Sequence, residues 1–294
     1  MKSISILLTD PISINEQIIL KSVANLKKSK LKKIFFLGDR IYFKDIDKLS
    51  KTNNKFHFIN ISLIKNNYLQ YLKSLIKTSV YLFKKKRINY IINMPINKKR
   101  FFKNKYPGFT EFFSYILDKK QNENMVLYNE KFSVCPLTTH TEIKNVDKKI
   151  NKKKLINSIE NLNFFLKNII KKKNKIIVLG LNPHASQDIT NNTKDMNIIS
   201  PVVQLLKKKI DVCGPISADT AFQQTMGKIY LGMYHDQVLI PFKMANKHNG
   251  INITIGKEII RISPDHGTGE DLIKKPHLIS NKSFLKCIKF CEKY

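Results

Sequence analysis

Three histidines stand at the ends of apolar, strand-like stretches: His140 in TTH, His184 in NPHA and His235 in MYHDQ. A strand that feeds a loop fixes the side chain at its end, and neutral imidazole is the commonest protein ligand for zinc and its neighbours. The three therefore outline a metal site assembled by geometry rather than by proximity along the chain. Taken singly, each is an ordinary core or surface histidine; the set is what points to an ion. Two carboxylates stand close to this pattern, Asp236 beside His235 and Asp219 in the ADT of Ala218 to Thr220. Both are candidate catalytic residues, for proton relay or, more conservatively, for orienting a ligand.

Four segments are richer in Gly, Pro, His and Asp than their surroundings: YPGFTE from Tyr106, GLNPHA from Gly180, GPISADTAF from Gly214 and PDHGTGED from Pro264. Gly and Pro there specify sharp turns, while Asp and His supply ligands or proton carriers.

The elements that position these residues alternate in kind. Short β-branched or aromatic runs occur at Ile4 to Leu8, Lys33 to Leu37, Phe56 to Ile59, Tyr90 to Asn93, Val126 to Tyr128, Phe132 to Pro136, Lys175 to Leu179 and Tyr230 to Met233. Helical patterns lie between them, including Asn67 to Lys85, Lys152 to Lys171 and Met196 to Lys208. Strand and helix taking turns predicts an α/β protein with a largely parallel sheet, whose ligands gather at the C-terminal ends of the strands. The length suits two modest lobes or one large domain, with the chain passing between lobes near Pro95, His140 and Ser263.

Composition excludes several classes of function. The formal net charge is +31, yet arginine occurs at only four of the 53 basic positions, Arg40, Arg87, Arg100 and Arg261. Bidentate recognition of phosphates and bases favours arginine. The lysines fall in short clusters such as Lys84 to Lys86 and Lys207 to Lys209, at the ends of apolar runs. Their surplus reads as a lysine-coated surface, and no specific nucleic-acid partner is expected. No run approaches the roughly 18 consecutive apolar residues of a membrane span, so a cytoplasmic protein without a membrane partner is expected. Cys135, Cys213, Cys287 and Cys291 form no zinc-type CxxC pair and read as free, mostly buried thiols.

Taken in order, TDP (Thr9 to Pro11), YPGFTE, TTH, GLNPHA, ADT, MYHDQ with Pro241 and Lys243, INITIG, IRIS and DHGTG resemble the PdxA family of vitamin B6 synthesis. These are the 4-hydroxythreonine-4-phosphate dehydrogenases, and the likeness spans nearly the whole chain. It implies a two-lobed α/β/α fold like that of isocitrate and isopropylmalate dehydrogenases. It also implies NAD- or NADP-dependent oxidation of 4-phosphooxy-L-threonine to a β-keto acid, which decarboxylates to 3-amino-2-oxopropyl phosphate. A divalent cation, Zn, Mg or Co, would be shared across the interface of a homodimer. Carried over by position, the metal ligands are His140, His184 and His235, and the substrate contacts are Thr110, Lys243, Asn252 and Arg261. The DHGTG segment is assigned to the cofactor through Asp265, Gly267 and Thr268.

The chain departs from the family at several points. Phe109 stands where the family has a histidine beside Thr110, so one substrate contact is lost. The N-terminal loop reads DPISINE without its glycines, the segment after NPHA reads SQDITNNTKD, and DHGT is followed by GEDLIKKPHLIS. Lys98 matches a family lysine, but its neighbouring glycine has become Met94. Glycine lets backbone approach a phosphate closely, so these losses fall mainly on the expected cofactor side. Two alternatives stand beside the main reading. One is a dehydrogenase for another four-carbon phosphorylated hydroxy acid; the other is a degenerate metal-binding homologue with only a binding role.

Overall fold

Runs of isoleucine, phenylalanine, leucine and valine form strands because branched and aromatic side chains fit a pleated surface buried on both faces. The computed structural model describes residues 1–117, 123–173, 175–188, 192–223, 228–247, 249–256 and 260–294. Among the described residues the strands are β1 (Ile4–Leu7), β2 (Ile34–Gly38), β3 (Phe56–Asn60), β4 (Tyr90–Asn93), β5 (Asn124–Tyr128), β6 (Phe132–Thr138), β7 (Lys175–Leu179), β8 (Val212–Ile216), β9 (Lys228–Tyr234), β10 (Ile251–Ile255) and β11 (Arg261–Pro264). Every strand expected from the sequence is present. The three not expected, β8, β10 and β11, lie in GPISADTAF, INITIG and IRIS, segments whose unusual residues drew a reading as motifs and hid their period.

The chain divides into two units, Met1–Gln121 with Glu258–Tyr294 and Asn122–Lys257. The loop after Pro95 and Ser263 fall inside the first unit, and His140 inside the second. In the first unit the strand order is β3-β2-β1-β4-β11, and every pair is parallel. The helix Tyr68–Lys84 starts at Asn67, whose side chain accepts a hydrogen bond from the Gln70 N–H. It buries Tyr71, Leu72, Leu75, Ile76 and Leu82, a helical stripe that packs with Phe101, Phe102, Phe112 and Phe113.

In the second unit the order is β10-β5-β6-β9-β7-β8. β5 runs antiparallel to both β10 and β6, whereas β6, β9, β7 and β8 pair in parallel. The helix His235–Asn246 follows β9 without a loop and buries Val238 and Phe242 among Phe132, Val134, Leu179 and Tyr230. Gly232 makes this close return possible, because a Cβ there would lie 2.4 Å from Val238 Cγ1. The sheets are thus mostly parallel, as the alternation of elements implies, and the protein is α/β. Cys135, Cys287 and Cys291 are buried free thiols and Cys213 is half-buried. Among the described residues no helix is long and apolar enough to cross a membrane.

Tyr71 couples the helix to two strand ends in the first unit. Its hydroxyl donates to the Leu8 carbonyl at 2.7 Å and accepts from the Asp39 N–H at 3.2 Å. Burial pushes its phenol pKa up, so it stays a neutral donor. Tyr71→Phe leaves both backbone groups without that partner and is expected to lower stability by about 1–3 kcal/mol in urea unfolding.

Candidate active site

Strands β6, β9 and β7 are neighbours in the sheet and parallel, so their C-terminal ends share one edge of the second unit. Each leads to one of the histidines singled out in the sequence. His140 follows β6 by two residues, His235 follows β9 directly, and His184 lies in the Pro183–Ser186 turn beyond β7. The rings of His140 and His235 face each other with centroids 6.1 Å apart.

The imidazoles of His235 and His184 are each held by a carboxylate. Asp236 Oδ1 lies 2.6 Å from His235 Nδ1, and Asp188 Oδ2 lies 2.5 Å from His184 Nδ1. A carboxylate on Nδ1 fixes the ring and directs Nε2 outward, which is how a metal-binding imidazole is usually oriented. The hydrogen bond and charge of Asp188 raise the pKa of His184, with a lesser contribution from the Asp219 charge. Asp219 itself accepts from Ser217 Oγ at 2.5 Å, which holds its carboxyl below the usual range. Asp236 thus sits against His235, and Asp219 within electrostatic reach of His184. Among the described residues, no three His, Cys, Asp or Glu of a single chain are gathered so as to hold an ion.

The turn that carries His184 is organised by Asp195, a residue that sequence reasoning missed. This carboxylate is 1% exposed. Oδ1 accepts from the Leu181 N–H at 2.7 Å, and Oδ2 from Asn182 Nδ2 and Ser186 Oγ, each at 2.8 Å. Those bonds hold a run of three positive-φ residues, His184 (51°), Ala185 (52°) and Ser186 (61°). Each such residue costs on the order of 1–3 kcal/mol and persists only where the surroundings over-determine it. Gly180 completes the turn, since a Cβ there would meet the Ala185 Cα at 2.7 Å. Gln237 of MYHDQ ties the neighbouring strand to the same turn, accepting from the Met233 N–H and donating to the Gly180 carbonyl, both at 2.7 Å. The segment SQDITNNTKD, read in sequence as an eroded glycine loop, therefore supplies Asp188 and Asp195 to the histidine side. The available signal was two acids flanking a polar stretch just before an apolar helical run.

The substrate residues expected from the family resemblance lie on separate elements. Thr110 is the second residue of the helix Phe109–Leu117 and Arg261 begins β11, both in the first unit; Lys243 is on the helix His235–Asn246 and Asn252 on β10, both in the second. Arg261 is 3% exposed. Its Nε donates to Asn93 Oδ1 in a short bond, its Nη1 donates to Thr110 Oγ1 at 3.2 Å, and its guanidinium lies 4.5 Å from the Phe109 ring centre. Burial pushes its pKa down, and the Glu111 charge opposes this. Asn252 Oδ1 is buried without a hydrogen-bond partner.

The DHGTG residues follow β11 in the first unit. The Thr268 carbonyl accepts from the Ile14 N–H at 3.0 Å, joining this loop to DPISINE. His266 Nδ1 contacts the Gly267 carbonyl at 2.8 Å, so Nδ1 carries the proton and Nε2 is an acceptor; that Nε2 is buried without a partner, as is Asn15 Oδ1. A Cβ on Gly267 would meet nothing within 4 Å, which leaves the loop open there. The Asp265 N–H is held by Ser283 Oγ at 2.8 Å. Arg100, unremarked as a site residue in the sequence, braces the region: it donates to both oxygens of the fully buried Asp10 at 2.8 and 2.9 Å and to Glu270 Oε2 at 2.8 Å. Lys98 is exposed and donates to the Pro107 carbonyl at 3.4 Å.

Mostly parallel α/β units with loops beyond the strand C-termini are an enzyme architecture found in solved structures. Isocitrate dehydrogenase from Methylococcus capsulatus shares that fold with a TM-score of 0.54, at 10% identity over 100% of this chain and 86% of that one. Closer likenesses exist. The crystal structure of 4-hydroxythreonine-4-phosphate dehydrogenase from Klebsiella pneumoniae superposes with a TM-score of 0.81, at 26% identity over 99% of this chain and 97% of that one. A 4-hydroxythreonine-4-phosphate dehydrogenase of Sulfurihydrogenibium sp. is 32% identical over 94% of this chain and 93% of its own length. A D-threonate 4-phosphate dehydrogenase of Pectobacterium atrosepticum is 34% identical over 67% of this chain and 62% of its own length. Residues 8–291 match the model of the PdxA family, pyridoxal phosphate biosynthetic proteins, and the chain belongs to that family of enzymes.

Replacing Asp195 with alanine leaves the Leu181 N–H and the Ser186 hydroxyl without their acceptor beneath a strained turn. The expected loss is about 2–4 kcal/mol in denaturant unfolding. Hydrogen exchange should show the 180–187 amides losing protection first.

Proposed function

We propose that the protein oxidises the secondary alcohol of 4-phosphooxy-L-threonine with NAD or NADP, in pyridoxal phosphate biosynthesis. The product β-keto acid loses CO2 to give 3-amino-2-oxopropyl phosphate. The observation that carries this reading is the delivery of His140, His184 and His235 to one edge by three adjacent parallel strands. The donor set of three imidazoles, with Nδ1 of His184 and of His235 held by a carboxylate, fits a cation that accepts imidazole nitrogen, such as Zn or Co, better than Mg, which prefers oxygen ligands. When bound, the cation supplies Lewis-acid polarisation of the alcohol, and the nicotinamide accepts the hydride.

The chain's own residues do the remaining work. Asp188 and Asp236 orient two imidazoles, and Asp195 holds the turn that presents one of them. Arg261 and Lys243 supply positive charge for the phosphate and carboxylate, while Thr110 and Asn252 add hydrogen-bonding groups. Asn252 Oδ1, buried and without a hydrogen-bond partner, is suited to a substrate N–H or O–H. His266 Nε2 and Asn15 Oδ1 are acceptors suited to the amide or hydroxyl donors of a dinucleotide, beside the open position at Gly267 and with Asp265 and Thr268 in the same loop. The active protein is a cytoplasmic homodimer in which two copies contribute to one ion site. Consistent with this, the helix that begins with His235 exposes Ile240 and Met244 one turn apart, a surface that a second copy would cover.

Phe109 favours a second reading, a related four-carbon substrate such as threonate or erythronate phosphate, because the family's imidazole is missing there. The two are separated by comparing NADH formation from 4-phosphooxy-L-threonine with that from those phosphates. Turnover on the first is expected to be higher by at least roughly ten-fold, the discrimination a polar substrate group commonly provides. It should stop on chelation and return with Zn, Mg, Mn or Co. His235→Ala should bind less than one tenth of the wild-type metal at equal free concentration; unaltered metal content together with chelator-insensitive turnover would overturn the assignment.

A further inference from the structure

We propose that Phe109 is the positioning residue of the Arg261 guanidinium, holding it with an aromatic face. The inference rests on the reading of Arg261 as an anion-binding residue of the site. Its groups all belong to the first unit: Phe109 and Thr110 at the start of one helix, Asn93 at the end of β4, and Arg261 at the start of β11.

Arg261 is nearly removed from solvent, and a guanidinium so placed must be stabilised on both its edge and its face. The edge is met by Asn93 on Nε and Thr110 on Nη1. The face is met by the Phe109 ring at 4.5 Å. Phe109 is itself fixed, 8% exposed and stacked on Phe113 with centroids 6.3 Å apart and planes 25° apart. Phe113 thus supports Phe109, and the Phe109 ring in turn lies against the guanidinium.

An imidazole at this position would contribute a hydrogen bond to a ligand but, when protonated, would repel the buried cation. A phenyl ring attracts the cation through its negative face and takes up none of its five N–H donors. A phenyl ring at this position therefore favours orientation of the arginine over a polar contact of its own with the ligand. A flat, bidentate group for phosphate or carboxylate gains most from such orientation, because its two hydrogen bonds must form together.

The test compares Phe109→Leu, which keeps an apolar side chain without a π face, with Phe109→Tyr, which keeps the face. Two quantities are read on each protein: the dissociation constant for inorganic phosphate by calorimetry, and KM against kcat for 4-phosphooxy-L-threonine. Loss of the face should weaken phosphate binding and raise KM on the order of ten-fold, the scale of a desolvated cation–π contact, with kcat changed much less. Phe109→Tyr should restore both to within about two-fold of wild type. If the leucine protein fails to fold, as judged by thermal unfolding, Phe109→Met takes its place. Wild-type phosphate affinity in the leucine or methionine protein, equal impairment in the tyrosine protein, or absence of phosphate binding by wild type would each overturn the proposal. Wild-type phosphate binding without turnover would instead count against the substrate assignment alone.

Discussion

Parallel pairing of β6, β9 and β7 is the constraint on which the rest of the site depends. Neighbouring parallel strands must all end on the same edge, so residues 95 positions apart in sequence, His140 and His235, arrive together without any local motif to join them. The sheet does this with buried Val, Ile, Leu and Tyr along the strands, and Gly232 lets the next helix turn back at once, so that His235 sits at the first turn of a helix. The chemistry is placed by the hydrophobic pattern of the strands, while the identities of the end residues decide what that chemistry is.

Beyond the strand ends, polar groups take over. Asp195 satisfies a turn that contains three consecutive positive-φ residues, and Gln237 ties that turn to β9. In the first unit the equivalent hub is Asp10, buried and paired with Arg100, which also reaches Glu270 in the loop after β11.

Much of the fold was legible because the strands are short, apolar and β-branched, and the lysine-rich helices between them still keep an apolar stripe. The strands that escaped notice, β8, β10 and β11, are interrupted by Gly214 and Pro215 or by the polar residues Asn252, Thr254, Arg261 and Ser263, which break the apolar pattern. Of the candidate site, the three histidines stood out as a set at the ends of strand-like runs, although each taken singly is unremarkable. Asp188, Asp195 and Arg100 could not, since an acid or arginine in a polar loop gives no sign of its partner until the chain is folded. Phe109 was legible as a loss; that its ring faces the guanidinium of Arg261 required the coordinates, because 152 residues separate the two.

The central claim is that His140, His184 and His235 converge on one cation when two copies of the chain come together. Anomalous diffraction at the zinc edge from zinc-soaked crystals tests this directly. The account predicts one strong peak per site, bonded to all three imidazoles, with the ligands drawn from both members of a symmetric pair. A peak bound elsewhere, or three rings left apart after the pair is assembled, would contradict it.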